Sequence, residues 1–462
     1  MTRQWIWWLL MGWLGGLAGA VFLPNLMTWY VLGSIAALGT ALVHHKGWVH
    51  ELYLAIGITL PWSVAMAWGG GSEVVVPGEI LIVVLAGVLL LDSSQRGWTS
   101  LKQIIGKNPW PALWIASFAP AVVLSEMPGV SIKFWLVNGL FVAVFYYGTL
   151  RWPDAVPKML SGFAWSMVGV ALWGLYQYAQ YDFNPITRSG IFKPFFYSHT
   201  YFGAVMAMGF GAGLAWLPQR RWGWALAILA ASGVLLSGSR AALWSMVFVM
   251  GILPLMQLKP RDRIWLPLAL IAGLLVAAGP QPWFDLWNNT TYKSHDPQAN
   301  VLENSMSVTN VQTDVSNVER LNRWTSALRM FEERPHVGFG PGTYQFTYIP
   351  YQDPALENRL TVKNPDDPPE GSGGTAHSEW LLQLAENGWP SALLFLIILL
   401  RWAQTGFATA PNAAAAAFAL FAPLATYCFH MHFNNFLNQP GFALLFWSLG
   451  AQLDRIRTTD SR

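Results

Sequence analysis

The chain has 462 residues, of which 54% are hydrophobic and only 11% charged, with a net charge of +3. A soluble globular chain carries about 25% charged residues, so this one cannot cover its own surface with polar groups, and a soluble fold is excluded. Its 27 Lys and Arg are dispersed and form no basic stripe, which argues against nucleic acid as a partner, and the single cysteine, Cys428, rules out a disulfide framework or a multi-thiolate metal site within one chain.

Apolar runs near the length that crosses a bilayer, about 20 residues, recur from the N-terminus onward. The first, Trp5 to Leu23, follows Arg3 and reads as a retained helix, because no convincing small-x-small cleavage site precedes the next run. In chain order the runs predict spans near 5–24, 27–43, 51–68, 78–91, 110–126, 132–150, 159–180, 196–217, 223–237, 241–257, 264–280, 389–404, 413–430 and 437–452. The expected fold is an all-α polytopic membrane protein of about 12–14 transmembrane helices. It divides into a membrane bundle over 1–280, one long loop with short amphipathic helices over 281–388, and the last spans with a cytoplasmic tail over 389–462. Trp5, Trp7, Trp8, Trp110, Trp152, Trp222 and Trp389 fall at run edges, where an amphipathic ring suits the headgroup layer.

Charge orients the bundle. With the N-terminus inside, one face receives most of the Lys and Arg of the short breaks, among them Arg96, Lys102, Lys107, Arg151, Lys158, Arg220, Arg221, Arg261 and Arg263. The short breaks of the other face hold Lys133, Arg188, Lys193 and Arg240. The positive-inside bias therefore predicts cytoplasmic termini and an external long loop.

Within that loop, Asn288 to Val315 is rich in Asn, Thr and Ser and reads as irregular. Ser316-Asn317-Val318-Glu319 then matches a capping box, and Leu321, Trp324, Leu328 and Phe331 share one face, predicting an amphipathic helix over 317–333 lying on the outer leaflet. Arg334-Pro335 ends it, and Gly338-Phe339-Gly340-Pro341-Gly342 forms a tight turn. A second short helix, His377 to Glu386, closes at Asn387-Gly388.

Several polar residues at this face could carry chemistry. Arg240 follows Ser237-Gly238-Ser239 and stands at the start of a span against the charge bias. It is either an interfacial anchor or a grip for an anion, for which the planar, permanently charged guanidinium fork is suited. Arg188 and Arg320 are two more arginines beside apolar segments on this face, and three together favour an anion site. His377 is either a structural N-terminal histidine or a general base able to draw a proton from a hydroxyl. Glu386 is either the polar end of an interfacial helix or a carboxylate inside the bilayer. His430 and His432, with Asn434, Asn435 and Asn438, form a polar cluster that reads as the lining of a cavity, with His199 of the same status. Nearby carboxylates or cysteines that would complete a metal shell are missing from the cluster. There is no P-loop, dinucleotide turn or H-E-x-x-H, and Asp366-Asp367 is a lone acidic pair.

Four pieces in order carry a resemblance to a known family: Arg188-Ser189-Gly190-Ile191-Phe192; Ser237-Gly238-Ser239-Arg240-Ala241; Arg320-x-x-x-Trp324 running into Arg334-Pro335-x-x-Gly338-x-Gly340; and His377-x-x-x-Leu381-x-x-x-Ala385-Glu386-x-Gly388. With them the chain resembles the O-antigen ligase and polymerase superfamily of bacterial envelope glycosyltransferases; before Tyr181 the likeness is one of hydropathy alone. The resemblance implies an inner-membrane protein, active at the periplasmic face, that moves a glycan from undecaprenyl diphosphate to an acceptor hydroxyl of lipid A-core or of a growing glycan. It implies that Arg240 and Arg320 contact the diphosphate and that His377 is essential, with Arg188 at a less constant position. Ser378 and Ser198-His199 replace residues usual in the family. On this reading the site comprises His377, Arg240 and Arg320 as catalytic residues and Arg188, His199, Glu386, His430, His432 and Asn435 as substrate-binding ones, with an inverting displacement that needs no cofactor and no metal if arginines supply the positive charge. The shape of the His377 segment favours a ligase over a polymerase, and a lipid-linked glycan flippase fits the same span count.

Overall fold

A computed structural model describes residues 48–69, 72–95, 98–216, 222–255, 289–291, 306–365, 374–408 and 411–460, with the single positions 293, 303, 367 and 369. The spans expected at 5–24, 27–43 and 264–280 lie outside the described residues, as does Asp366. The structure is 76% helical, an all-α polytopic architecture as the hydropathy predicts.

In chain order the chain forms α1 (Trp48–Thr59), a hairpin of β1 (Val64–Gly69) and β2 (Ser72–Val76), then α2 (Gly78–Gln95), α3 (Thr99–Lys107), α4 (Trp110–Ala116), α5 (Ala119–Val123), α6 (Pro128–Phe141) and α7 (Val156–Gln180). Next come α8 (His199–Trp216), α9 (Trp222–Ser237) and α10 (Arg240–Leu255). The long loop supplies α11 (Val315–Glu333) and the single turn α12 (Tyr344–Thr347), and α13 (Glu379–Ala408), α14 (Pro411–His430) and α15 (Pro440–Asp460) complete the bundle. Among the described residues, four stretches are long and apolar enough to cross a membrane: Gly78–Gln95, Pro128–Arg151, Pro153–Gln180 and Glu379–Phe407. Trp110–Val123, Gly223–Ser237, Arg240–Ile252 and Ala416–His430 are shorter apolar helices.

Two expected spans are interrupted. The run 51–68 is helical only to Thr59, because Pro61 offers no amide for a further helical hydrogen bond; beyond it Val64 pairs with Val76 in the hairpin. The run 110–126 breaks between α4 and α5, where the Ser117 hydroxyl donates to the Trp114 carbonyl at 2.6 Å and Pro120 opens the second piece.

The helices meet over small residues. A Cβ on Gly213 of α8 would stand 2.6 Å from the Ala227 nitrogen of α9, and one on Gly211 would stand 2.8 Å from the Ala422 carbonyl of α14. Backbones this close let lipid-embedded helices gain packing contacts without a hydrophobic drive. Above the bundle core the loop has a separate small core of Ala327, Met330, Phe339, Tyr344, Tyr348, Val362, Ala376, Leu382 and Ala385.

This second core corrects the reading of α11. The helix is capped by Asp314, whose carboxylate accepts from the Asn317 amide at 3.0 Å, two residues ahead of the expected box at Ser316. Its buried face is Asn317, Glu319, Asn322, Arg323, Ser326, Ala327 and Met330, whereas Leu328 of the expected apolar stripe is exposed. Buried polar partners elsewhere in the loop override the hydropathy pattern that sequence periodicity reports.

The turn after α11 interlocks with a hinge in α13. Phe339 and Gly340 donate their amides to the carbonyls of Ala385 and Glu386 at 3.0 and 2.8 Å, and Trp389 donates to Pro335 at 2.9 Å. Gly388 has φ 74°, and a Cβ there would stand 2.5 Å from the His336 carbonyl, so glycine is required both by conformation and by approach. The motif glycines 338, 340 and 388 are thus the two halves of one joint.

Candidate functional site

Arg240 is the first residue of α10. The turn before it is fixed by Ser237 and Ser239: the Ser237 hydroxyl accepts the Ser239 amide at 3.1 Å, and the Ser239 hydroxyl caps the helix by accepting the Ala242 amide at 3.3 Å. The Arg240 guanidinium crosses to the outer loop, donating to the Ser307 hydroxyl at 2.7 Å and to Oδ1 of Asn317 at 3.3 Å, and lies 3.9 Å from the buried Asp314 carboxylate.

Arg320, one turn along α11, donates to the same Oδ1 of Asn317 at 3.3 Å. Its Nε is buried with no hydrogen-bond partner among the described residues. Burial, and next the Arg240 charge, bring its guanidinium down to about 10. Two buried guanidiniums side by side, offset among the described residues by the Asp314 carboxylate, have the charge and the donor geometry that suit an anion.

His377 follows at the edge of the loop core, with φ 49°. That left-handed conformation costs a non-glycine residue on the order of 1–3 kcal/mol and persists only where the surroundings impose it. Here Arg323 donates to the Thr375 carbonyl at 3.3 Å and the Trp324 indole to the His377 carbonyl at 3.4 Å. Arg323 is itself paired with Glu319 at 2.9 Å, and Glu319 accepts from the Thr361 hydroxyl at 2.8 Å. On the other side, the Glu379 amide donates to the Met431 carbonyl at 2.9 Å, and the Glu379 carboxylate accepts from the Tyr427 hydroxyl and the Leu437 amide, each at 2.8 Å. Nδ1 of His377 faces Oδ1 of Asn434 at 3.4 Å. Burial, then the charges of Arg323 and Arg320, hold the imidazole well below the usual histidine range, so it is neutral and free to accept a proton.

The other residues singled out in the sequence divide into two groups. Arg188 packs beside the Arg240 turn: a Cβ on Gly238 (φ 65°) would stand 2.7 Å from its Cδ, its terminal nitrogen donates to the Tyr178 hydroxyl at 3.1 Å, and its Nε is buried without a partner among the described residues. His199 is bound to the Ser237 carbonyl at 2.8 Å and so supports that turn from below. His430 is buried between Ser245 at 3.4 Å and Asn434 at 3.0 Å. His432, in contrast, is exposed and bonded to the Phe429 carbonyl at 3.1 Å, so the His-x-His pair diverges. Asn435 is half-buried, and the residue that reaches His377 is its neighbour Asn434. Glu386 lies in the joint, where its carboxylate takes the amides of Gly342 and Tyr344, the latter at 3.0 Å, so within the described residues its bonds hold the turn.

Sequence reasoning passed over Asp314, Asn317, Arg323, Glu379 and Asn434 as site residues. Asn317 and Asn434 were visible only as members of a capping motif and a polar cluster; the partners of Arg323 and Asn434 lie 50 or more residues away, which no local pattern encodes.

A family model described as O-antigen ligase matches residues 225–396, the stretch that runs from α9 through the outer loop to the middle of α13. A search of curated proteins finds no match.

Proposed function

We propose that the chain, whose residues 225–396 match the O-antigen ligase model, is a member of the O-antigen ligase and polymerase superfamily and transfers a glycan from undecaprenyl diphosphate to an acceptor hydroxyl at the periplasmic face of the bacterial inner membrane, with lipid A-core as the acceptor. The observation that carries this reading is the meeting of Arg240 and Arg320 on Asn317, with the neutral His377 in reach of the Arg320 charge.

The diphosphate fills the anion site. Guanidinium forks donate paired hydrogen bonds to phosphate oxygens, and these bonds strengthen as the leaving group gains charge. The acceptor oxygen attacks the anomeric carbon while its proton passes to His377. The new carbon–oxygen bond forms as the bond from the anomeric carbon to the diphosphate oxygen breaks, and undecaprenyl diphosphate leaves with the electron pair. One displacement inverts the configuration. A base placed in this way contributes about 10²–10⁴ in rate. The loop core above the site shields the donor from water, which otherwise competes as acceptor.

The test is transfer by purified protein in detergent, with EDTA present, from an undecaprenyl-diphosphate glycan to lipid A-core, comparing wild type with His377→Ala. Transfer by wild type in EDTA that is lost in the variant supports the reading. Longer chains on the lipid carrier, with no product on core, would make the protein a polymerase, and the absence of either product would overturn the transferase.

A further inference from the structure

We propose that Ser245, His430 and Asn434 form a relay that sets the tautomer of His377, keeping its proton on Nδ1 and leaving Nε2 as the atom that receives the acceptor's proton. The proposal rests on the transferase reading only for the last step; the tautomer itself follows from the hydrogen-bond geometry.

The chain of assignments starts at a group with one possible role. The Ala241 carbonyl can only accept, and the Ser245 hydroxyl lies 2.6 Å from it, which commits the hydroxyl proton. The oxygen of Ser245 can then only accept from Nδ1 of His430, 3.4 Å away, so that nitrogen carries hydrogen. His430 is 1% exposed, where a second ring proton would make an unpaired interior cation. Its Nε2 is therefore bare and accepts from the amide nitrogen of Asn434 at 3.0 Å. A flipped Asn434 would set Oδ1 against that bare nitrogen, two acceptors face to face. With the amide so oriented, Oδ1 points at Nδ1 of His377 at 3.4 Å, and an oxygen that cannot donate requires a protonated nitrogen there.

His377 carries one ring proton, because Arg320 and Arg323 face it from α11. On the other side it meets Asn434 and, through it, the neutral His430, while Glu379 is occupied by Tyr427 and Leu437. The lone pair is left on Nε2. As Nε2 takes the acceptor's proton, the ring becomes a cation and its Nδ1–H bond to Asn434 becomes charge-assisted, so the relay favours the protonated state at the moment of transfer. The backbone supports this register: Glu379 joins the His377 segment to Met431 and Leu437 on either side of Asn434.

The test uses the full chain in lipid nanodiscs with ¹⁵N-labelled histidine, the His377 ring signals being assigned by their loss in His377→Gln. The expected spectrum has Nδ1 of His377 protonated and Nε2 bare. In Asn434→Asp, a carboxylate replaces the amide beside the ring and the acid limb of kcat/KM moves up by about a pH unit or more. Wild type that transfers glycan with Nε2 protonated overturns the relay and leaves the transferase. Wild type that makes no transfer with Nδ1 protonated leaves the relay and overturns the transferase. A folded Asn434→Asp with lowered kcat and an unmoved acid limb would reduce Asn434 to a packing role and also overturn the relay.

Discussion

Arg240 and Arg320 donate to the same oxygen, Oδ1 of Asn317, each at 3.3 Å. One opens a bundle helix and the other stands on the outer loop, so this shared acceptor ties the membrane part of the site to its cover. The amide nitrogen of Asn317 in turn holds the carbonyls of Ser307 and Asn310 at 2.8 and 2.9 Å. A single buried side chain thus orders two cations that would otherwise repel each other.

Arg320→Lys keeps the charge and loses the fork. With one charge-assisted hydrogen bond worth about 1.5–3 kcal/mol, kcat/KM for the lipid-linked donor should fall roughly 10- to 100-fold. Initial rates against donor concentration measure it; near wild-type rates would make Arg320 a solvated loop charge.

The pH profile follows from the lowered His377 value. The neutral ring is the active base, so activity is complete above the lowered pKa and is lost as pH falls through it. Rates should stay on the plateau at pH 6.5, the ordinary histidine value, and decline only in more acid buffer. A half-maximal rate at or above pH 6.5 would contradict this.

Gly388→Ala strains the joint twice, through its φ of 74° and through the 2.5 Å approach to His336. With ψ at 176° this backbone lies in a region open essentially to glycine alone and costs another residue on the order of 1–3 kcal/mol; the clash adds to it, so the thermal midpoint in detergent should fall and transfer with it. Gly87→Ala, in α2 with open space around the new methyl, is the control and should hold or raise the midpoint, by up to about 1 kcal/mol of helix propensity.

Arg323 and Glu319 are a buried pair, 1% and 5% exposed. Glu319→Gln or Arg323→Met leaves the other charge unpaired at a cost of about 3–5 kcal/mol. The double variant Glu319→Gln/Arg323→Met should cost markedly less than the two single changes together. Unfolding of the four proteins in a mutant cycle gives the coupling, and additive losses would remove the pair from its place beneath Thr375.

Much was legible in the sequence because it is written locally. Low charge and apolar runs determined that the chain is a membrane helical bundle, since a residue's preference for lipid needs no partner. Four short motifs in order carried the resemblance to the superfamily whose model matches residues 225–396, and singled out Arg240, Arg320 and His377. Tertiary structure decided the rest. It chose Asn434 over Asn435 as the partner of His377, and it turned His432 out to the surface while burying His430. Glu386 went to the Gly338–Gly342 turn, and α11 buried a largely polar face while Leu328 of its apolar stripe was left exposed. In each case the deciding term is a hydrogen bond or ion pair whose strength depends on excluding water, and which groups lose their water is settled only when distant segments close on one another.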